Sequence, residues 1–538
     1  MRTPLLNRKR GRGPARSTRY SVRRAGGGMA WTGSGTDRFL RRQRAGEDRI
    51  STLPDDLLLA VMRRLDTRTA LGTGILSSRW ASLPRELPAL DFRVGDILPP
   101  RYHTWIRLHR DRGTHVLYTE KKHIVPNIRR YERRAMRSLA SSIQSILDAP
   151  ADDERRVNRL RLDFFITTYS SGCCMNRLIA KAVDAWGVDD LEAVAKPTFC
   201  QWGQAHTFPS HGMCKEPRTS RLRRLKLGGC VIPQLHEYSA LTILVLQDLP
   251  ESTPTAAYEA VFTSCQQLQV LHLNSCGCGG DKIIVVDAPA SEIRELVVDH
   301  CAFHRFRLRA LPCLESIASL QTRVFFQPSS CPSFRKWNFA LRLGITHEGL
   351  RQCFKDYLDL ELDQLFQRTP DITNMVIRFT RPDRWFVPLS SPSLLLPNLR
   401  RLLVADVPSS WDVSWPRRLL EMAPSLEILH IHIAPCAEEP CDELCWQPTK
   451  LRQHHLKEFV MAGFEGTDME IYLVKFVMGV CTALSRVILS KNGYARDKGH
   501  WDWEMVTHQY SWSDEEKDTM LKQIMDGVSS STAPVHLV

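Results

Sequence analysis

Long apolar runs are what this 538-residue chain lacks first. No stretch approaches the roughly 20 consecutive apolar residues that a membrane helix needs. The opening residues also lack the sustained apolar core of a secretory signal. No membrane partner is therefore expected. There is no phosphate loop of the GxxxxGK[ST] form and no HExxH pair, which removes two common routes to nucleotide and zinc-hydrolase chemistry. Gly277-Cys278-Gly279-Gly280 is followed by neither Lys-Ser nor a dinucleotide fingerprint and reads as a turn. Ser, His and Asp occur in no recognisable nucleophile context. Cysteine is present, at sixteen residues, but in no paired spacing. Reduced thiols of a nuclear or cytoplasmic protein are expected rather than a disulfide framework. Cys436, Cys441 and Cys445, with His454 and His455 nearby, have the ligand types for zinc but an unfamiliar spacing. They read as a loop with free thiols. Neither metal nor cofactor is expected, and the chain is not read as an enzyme.

Charge is also scarcer than the total suggests. The net charge is +14, yet residues 1–46 hold thirteen Arg or Lys and one Asp, so this head supplies +12 and the rest of the chain +2. A body so close to neutral argues against a nucleic-acid partner. The head, rich in Arg, Gly and Ser, is expected to be disordered. Arg8-Lys9-Arg10 within it is compatible with a nuclear-import signal or with a solvated tail.

What is present begins at residues 48–92. Leu53-Pro54-Asp55-Asp56 places Pro and two carboxylates where a helix start favours them. Leu57, Leu58, Val61, Met62 and Leu65 follow as an apolar stripe. Asp66 is placed to cap a second helix, and a third runs from about Ser77 to Leu83. Short helices in fewer than fifty residues enclose their own Leu and Trp side chains poorly. The stretch is thus either a docking module or a three-helix piece covered by its own protein. Its string of residues, Asp48-Arg49-Ile50-Ser51, Leu53 to Leu58, Arg64-Leu65-Asp66, Leu76-Ser77, Arg79-Trp80, Leu87-Pro88 and Leu90-Asp91-Phe92, resembles a plant F-box. The resemblance implies docking on the adaptor subunit of an SCF-type, cullin-based ubiquitin ligase. It makes Leu53, Pro54, Leu57, Leu58, Val61, Leu65 and Trp80 candidate adaptor contacts.

The body is a repeat array. The spacing apolar-x-x-apolar-x-apolar-x-x-closing residue recurs at Leu222-Leu225-Leu227-Cys230, Leu241-Leu244-Leu246-Leu249, Leu268-Leu271-Leu273-Cys276 and Ile293-Leu296-Val298-Cys301. It returns at Leu399-Leu402-Val404-Val407, Leu426-Leu429-Ile431, Leu456-Phe459-Met461-Phe464 and Leu484-Val487-Leu489-Asn492. Less regular copies begin at Ile372-Met375-Ile377 and Leu160-Leu162. Starts lie 19, 27 and 25 residues apart, then 27, 30 and 28, which fits leucine-rich repeats. The step of two marks a strand, since a helix would step by three or four. One unit cannot bury its leucines, whereas stacked units share a core. Cys230, Cys276 and Cys301, at the closing position, read as buried structural thiols.

Three further segments complete the chain. Ile128, Tyr131, Ala135, Leu139, Ile143 and Ile146 predict a helix over residues 127–147. Its Arg129, Arg130, Arg133, Arg134 and Arg137 suit a solvated face or a phosphate-contacting one. Residues 453–491 resemble the FBD region of plant F-box proteins with leucine-rich repeats, through His455-Leu456-Lys457-Glu458, Gly463-Phe464, Gly466, Glu470 and the run from Leu484 to Leu489. Ile471, Val474, Phe476, Val477 and Val480 would form the apolar face of the helix there. Ser513 and Glu516 predict a capping box, with Met520, Leu521, Ile524 and Met525 on the buried side. His500-Trp501-Asp502-Trp503, through to Trp512, suits a recognition loop or packing beneath that last helix.

The fold expected is α/β: an N-terminal three-helix F-box, then a leucine-rich-repeat solenoid of parallel strands with loop or short-helix returns. The divisions are a basic head (1–46), F-box (47–92), helical linker (93–156), repeat array (157–450), FBD-like terminal repeats (451–492) and a tail with one helix (493–538). The function expected is substrate recognition for an SCF-type ubiquitin ligase, with an unidentified target protein on the repeats. A repeat scaffold without a ubiquitination role and a hormone-type small-molecule receptor are the alternatives.

Overall fold

The step of two becomes a strand at every regular copy of the repeat. The structure, a computed structural model, describes residues 50, 52–111, 118–148, 155–166, 169–199, 203–280, 282–322, 324–327, 329–341, 360–361, 366, 369, 371–379, 386–387, 396–410, 416–436, 452–508, 512–528 and 533–538. The basic head, Cys441 and Cys445 lie outside these residues. Two units divide the chain, residues 1–58 and 59–538, and the sheet belongs to the second.

The eight regular copies give Arg224–Gly228, Ile243–Gln247, Val270–Asn274, Glu295–Asp299, Arg401–Pro408, Ile428–Ala434, Glu458–Ala462 and Arg486–Ser490. The two irregular copies give Arg159–Phe165 and Asn374–Phe379. Five strands join them that the sequence reading did not identify: Ala89–Arg93, Asp190–Lys196, Ser316–Leu320, Lys336–Leu341 and Val535–Leu537. Among the described residues these fifteen make one sheet, ordered as they occur in the chain, and each pairing is parallel. Leu90-Asp91-Phe92, read with the helical module, forms the first of these strands. This α/β fold with a large parallel sheet is what a repeat solenoid builds.

The returns vary. Early ones are helical: Pro100–Asp111 and Tyr118–Leu147, then Tyr169–Asp184, and later Thr255–Ser264. The long helix buries Ile128, Ala135, Leu139, Ile143 and Ile146 as its period predicts, and its five arginines are exposed. In the middle of the array the returns are strands instead. Ile283–Asp287, Arg305–Ala310 and Val324–Phe326 form a second parallel sheet. Near the C-terminal end come Asp468–Val480 and Asp514–Met525, each with a full capping box. In the last helix Ile524 is buried but Met525 is exposed, contrary to the sequence reading. Trp512 packs into the core, while Trp503 lies elsewhere.

Six of the rungs turn in one way. The residue after the strand is left-handed at Asp248, Ser275, His300 and Gln321 (φ 49°, 52°, 51° and 56°), and at Gly229 and Gly463 (57° and 77°). Its N–H donates to the next strand: Gly229 to the Gln247 carbonyl (3.1 Å), Asp248 to Asn274 (2.9 Å), Ser275 to Asp299 (2.8 Å) and His300 to Leu320 (2.9 Å). The following residue is the closing position and drops into the core. There the Cys276 thiol donates to the Leu246 carbonyl (3.4 Å) and Cys301 to Leu273 (3.3 Å). Burial pushes the Cys230 thiol up to about 12, which leaves it a structural group without thiolate reactivity.

Two outcomes test this packing. A Cβ on Gly463 would lie 2.1 Å from the Ile433 carbonyl oxygen. Gly463→Ala should therefore lower stability by about 2–3 kcal/mol in a denaturant titration, whereas Asp248→Gly at the equivalent turn should change it by less than about 1 kcal/mol. His206 is buried, bonds through Nε2 to Asn176 Oδ1 (2.8 Å), and is held neutral, its pKa lowered by burial to about 4. A depressed histidine pKa gives stability that is present above the unfolded value and lost as pH falls through it. Between about pH 6.5 and 4 this group should cost about 3 kcal/mol, seen as a smaller pH slope of unfolding in His206→Gln than in the unaltered chain.

Candidate functional site

Three short helices follow Pro54. Asp55–Met62 carries both carboxylates in its first turn. Thr67–Gly72 is capped by Asp66, whose side chain accepts from the Thr69 N–H at 2.9 Å. Ser78–Ser82 is capped by Ser77, which accepts from the Trp80 N–H. The Thr67 hydroxyl accepts from the Asp91 N–H (2.7 Å) and so ties the second helix to the first strand of the sheet.

The seven candidate contacts divide by burial. Leu58 and Trp80 are buried in the free chain. Leu57, Val61 and Leu65 are exposed, Leu57 by 52% and Val61 by 45%. Pro54 is exposed and Leu53 partly so. In the first helix Leu58 and Met62 face inward four residues apart, and Leu57 and Val61 face outward with the same spacing. Ile75 and Leu76, not among the candidate contacts drawn from sequence, are exposed by 92% and 65%. Two adjacent apolar residues between helices were the available signal.

The second candidate surface is the sheet face opposite the core. Alternation places one residue per strand in each row across it. One row runs Arg161, Glu192, Lys226, Val245, His272, Val297, Ala318, Asn338, Val376, Leu403, His430, Val460. Its first strands are charged and paired across the ladder: Arg159 with Asp190 (3.1 Å) and Glu192 (3.0 Å), Arg161 with Glu192 (3.0 Å). These pairs are partly exposed, so each contributes at most about 1 kcal/mol. Its later strands are apolar, and an antiparallel hairpin, Asn492–Asp497 with Trp503–His508, lies over them. Trp503 is buried there against Val376, Leu403 and Ala405. The segment His500 to Trp503 thus packs on the sheet and not beneath the last helix. A shallow cleft of about 630 Å³ at the strand ends, lined by Glu251, Ser275 and His300 among others, is separate from both surfaces.

The FBD-like residues also have a geometric reason. Gly463 turns left-handed after its strand, and Gly466 (φ 82°) reverses the chain into helix Asp468–Val480. Glu470 is buried and accepts from the N–H groups of Glu465 (3.0 Å), Gly466 (2.7 Å) and Thr467 (2.9 Å). Burial raises its pKa against those bonds. Leu473, Val474, Val477 and Met478 are the side chains this helix buries, with Ile471, Phe476 and Val480 half-buried.

No family model matches the chain. Curated proteins of Arabidopsis thaliana do. One named F-box/FBD/LRR-repeat protein is 48% identical over 52 residues, 10% of this chain and 12% of that protein. Another of that name is 54% identical over 46 residues, 9% and 10% of the two chains. An FBD-associated F-box protein is 21% identical over 485 residues, covering 84% of this chain and 94% of its own. The chain is similar to plant F-box/FBD/LRR-repeat proteins over these short stretches and to the FBD-associated one along most of its length. The more identical of these matches span only about an eighth of the relatives' length or less. What F-box/FBD/LRR relatives share along most of their length with this chain is therefore low in identity. Among the described residues no helix is long and apolar enough to cross a membrane, and no group of His, Cys, Asp and Glu is placed to hold a metal ion.

Proposed function

We propose that the chain is the substrate-recognition subunit of an SCF-type ubiquitin ligase. In this reading residues 47–92 form an F-box of three short helices that docks on the adaptor subunit, and the repeat sheet holds a target protein. The observation that carries it is the set of apolar side chains left in solvent on that module, Leu57, Val61, Leu65, Ile75 and Leu76, in a chain whose relatives are named for their F-box. Burying such side chains on a partner contributes about 1.5–3 kcal/mol each when complete. The chain then works by proximity, raising the effective concentration of the target's lysines near a ubiquitin-charged enzyme. It contributes no catalytic group or cofactor of its own, and its place is the nucleus or cytoplasm.

The double change Leu57→Asp/Val61→Asp should reduce co-purification with the SCF adaptor at least roughly tenfold while the melting curve shifts far less than in Leu58→Asp, since both side chains are already about half in water. Leu58→Asp should instead lower thermal stability, because a buried carboxylate without a partner costs several kcal/mol. Undiminished adaptor binding by the double variant would reject the docking role of this helix.

A further inference from the structure

The hairpin over the sheet is held in the manner of a bound ligand. Of its twelve strand residues only Trp503 is buried, and Gly493, Ala495, Met505 and Val506 are partly so. Beside its packing on the adjacent strand Glu458–Ala462, it makes polar contacts to five successive strands that lie 73 to 184 residues away in the chain. Trp501 Nε1 donates to the Ile317 carbonyl (3.0 Å). Asn338 Nδ2 donates to the His500 carbonyl (2.6 Å). Arg378, already beside Asp406, pairs with Asp497. Arg401 bonds Asp502 (3.1 Å) and stacks its guanidinium 4.7 Å from the Trp503 ring centre. Trp503 Nε1 donates to His430 Nδ1 (2.8 Å), and His430 Nε2 meets Glu458 (2.7 Å).

The floor beneath is shaped for such a segment. Val376, Leu403 and Ala405 make an apolar seat for one indole. Two arginines flank it, both suited to bidentate or stacked recognition of carboxylates and rings. Asn338 is buried, and its Nδ2 holds the hairpin's main chain at the His500 carbonyl. Tryptophan and arginine in a desolvated seat surrounded by weaker polar contacts are how short segments gain most of their binding energy. A hairpin tethered directly to the strand Arg486–Ser490 acts at an effective concentration on the order of millimolar, which is enough to hold a seat that an untethered segment would fill only weakly.

We propose that this part of the open face is a peptide-recognition groove, filled in cis by Asn492 to His508. Its ligand in trans is a protein segment of the same chemistry, a tryptophan directly preceded by one carboxylate, with a second five residues upstream of the first, as Asp497, Asp502 and Trp503 present them. A partner engages by displacing the hairpin. This goes beyond the ubiquitin-ligase reading and does not depend on the adaptor.

The test uses the full chain and a fluorescent synthetic peptide of residues 492–508. By anisotropy, the peptide should bind the Trp503→Ala chain at least tenfold more tightly than the unaltered chain. The Asp497→Asn/Asp502→Asn chain should give an intermediate gain. Adding Arg401→Ala to the Trp503→Ala chain, or replacing the tryptophan at 503 in the peptide by alanine, should each cost at least tenfold. Equal binding to the unaltered and Trp503→Ala chains overturns the proposal, as does indifference to Arg401. Loss of the main thermal transition in the Trp503→Ala chain would make the hairpin part of the folding core and would also overturn it. None of these readouts involves the adaptor, so their failure leaves the docking reading of the short helices untouched.

Discussion

The turn at the end of each strand is the constraint on which the rest depends. A parallel ladder has to reverse its chain after every strand without leaving main-chain groups unpaired in a packed edge. Here a left-handed residue does this, handing its N–H to the neighbouring strand's carbonyl from Gly229 through His300. The same bond sets the spacing between rungs and aims the closing side chain inward. Where the neighbouring carbonyl comes nearest, as Ala195 does to Gly229, only glycine fits. Where there is room, Asp and His serve, the types that tolerate this conformation best. Regular turns keep the strands in one register, and that register divides the face into charged and apolar halves.

The array was legible because its strands repeat one spacing with leucine. The strands missed keep that spacing with other side chains. Val188-Leu191-Ala193, Leu314-Ile317-Ser319 and Phe334-Trp337-Phe339 are all buried in it, but alanine, serine and aromatics hide the pattern. Leu87-Leu90-Phe92 fits as well, and its proximity to the helical module drew it to the wrong element. The hairpin was not legible. Its strands carry mixed polar residues, and what places them is a set of side-chain bonds to residues more than seventy positions away. Within the short helices the stripe was legible, but which half of it faces out was not. Adjacent leucines at 57 and 58 satisfy the same period, and only packing separates them.

Polar contacts in this molecule divide between support and display. Glu470 spends its carboxylate on three N–H groups at one helix start. Glu132, buried in the long helix, accepts from the Tyr102 hydroxyl and the Phe199 N–H, while the five arginines around it point to water. The ion pairs among Arg159, Arg161, Asp190 and Glu192 leave each partner partly in solvent. Groups of the first kind fix turns and helix entries. Those of the second remain free to exchange partners at little cost.

The closing-position thiols also make the array self-reporting. Cys230, Cys276 and Cys301 sit on three different rungs, each buried, and Cys230 is too weakly acidic to react from within the fold. In a stacked array, stability is a sum over rungs and their interfaces, so opening can begin locally. The rate at which each thiol becomes reactive toward a small alkylating reagent therefore measures the opening of its own rung. The chain carries in its natural sequence a set of probes that would resolve unravelling along its length.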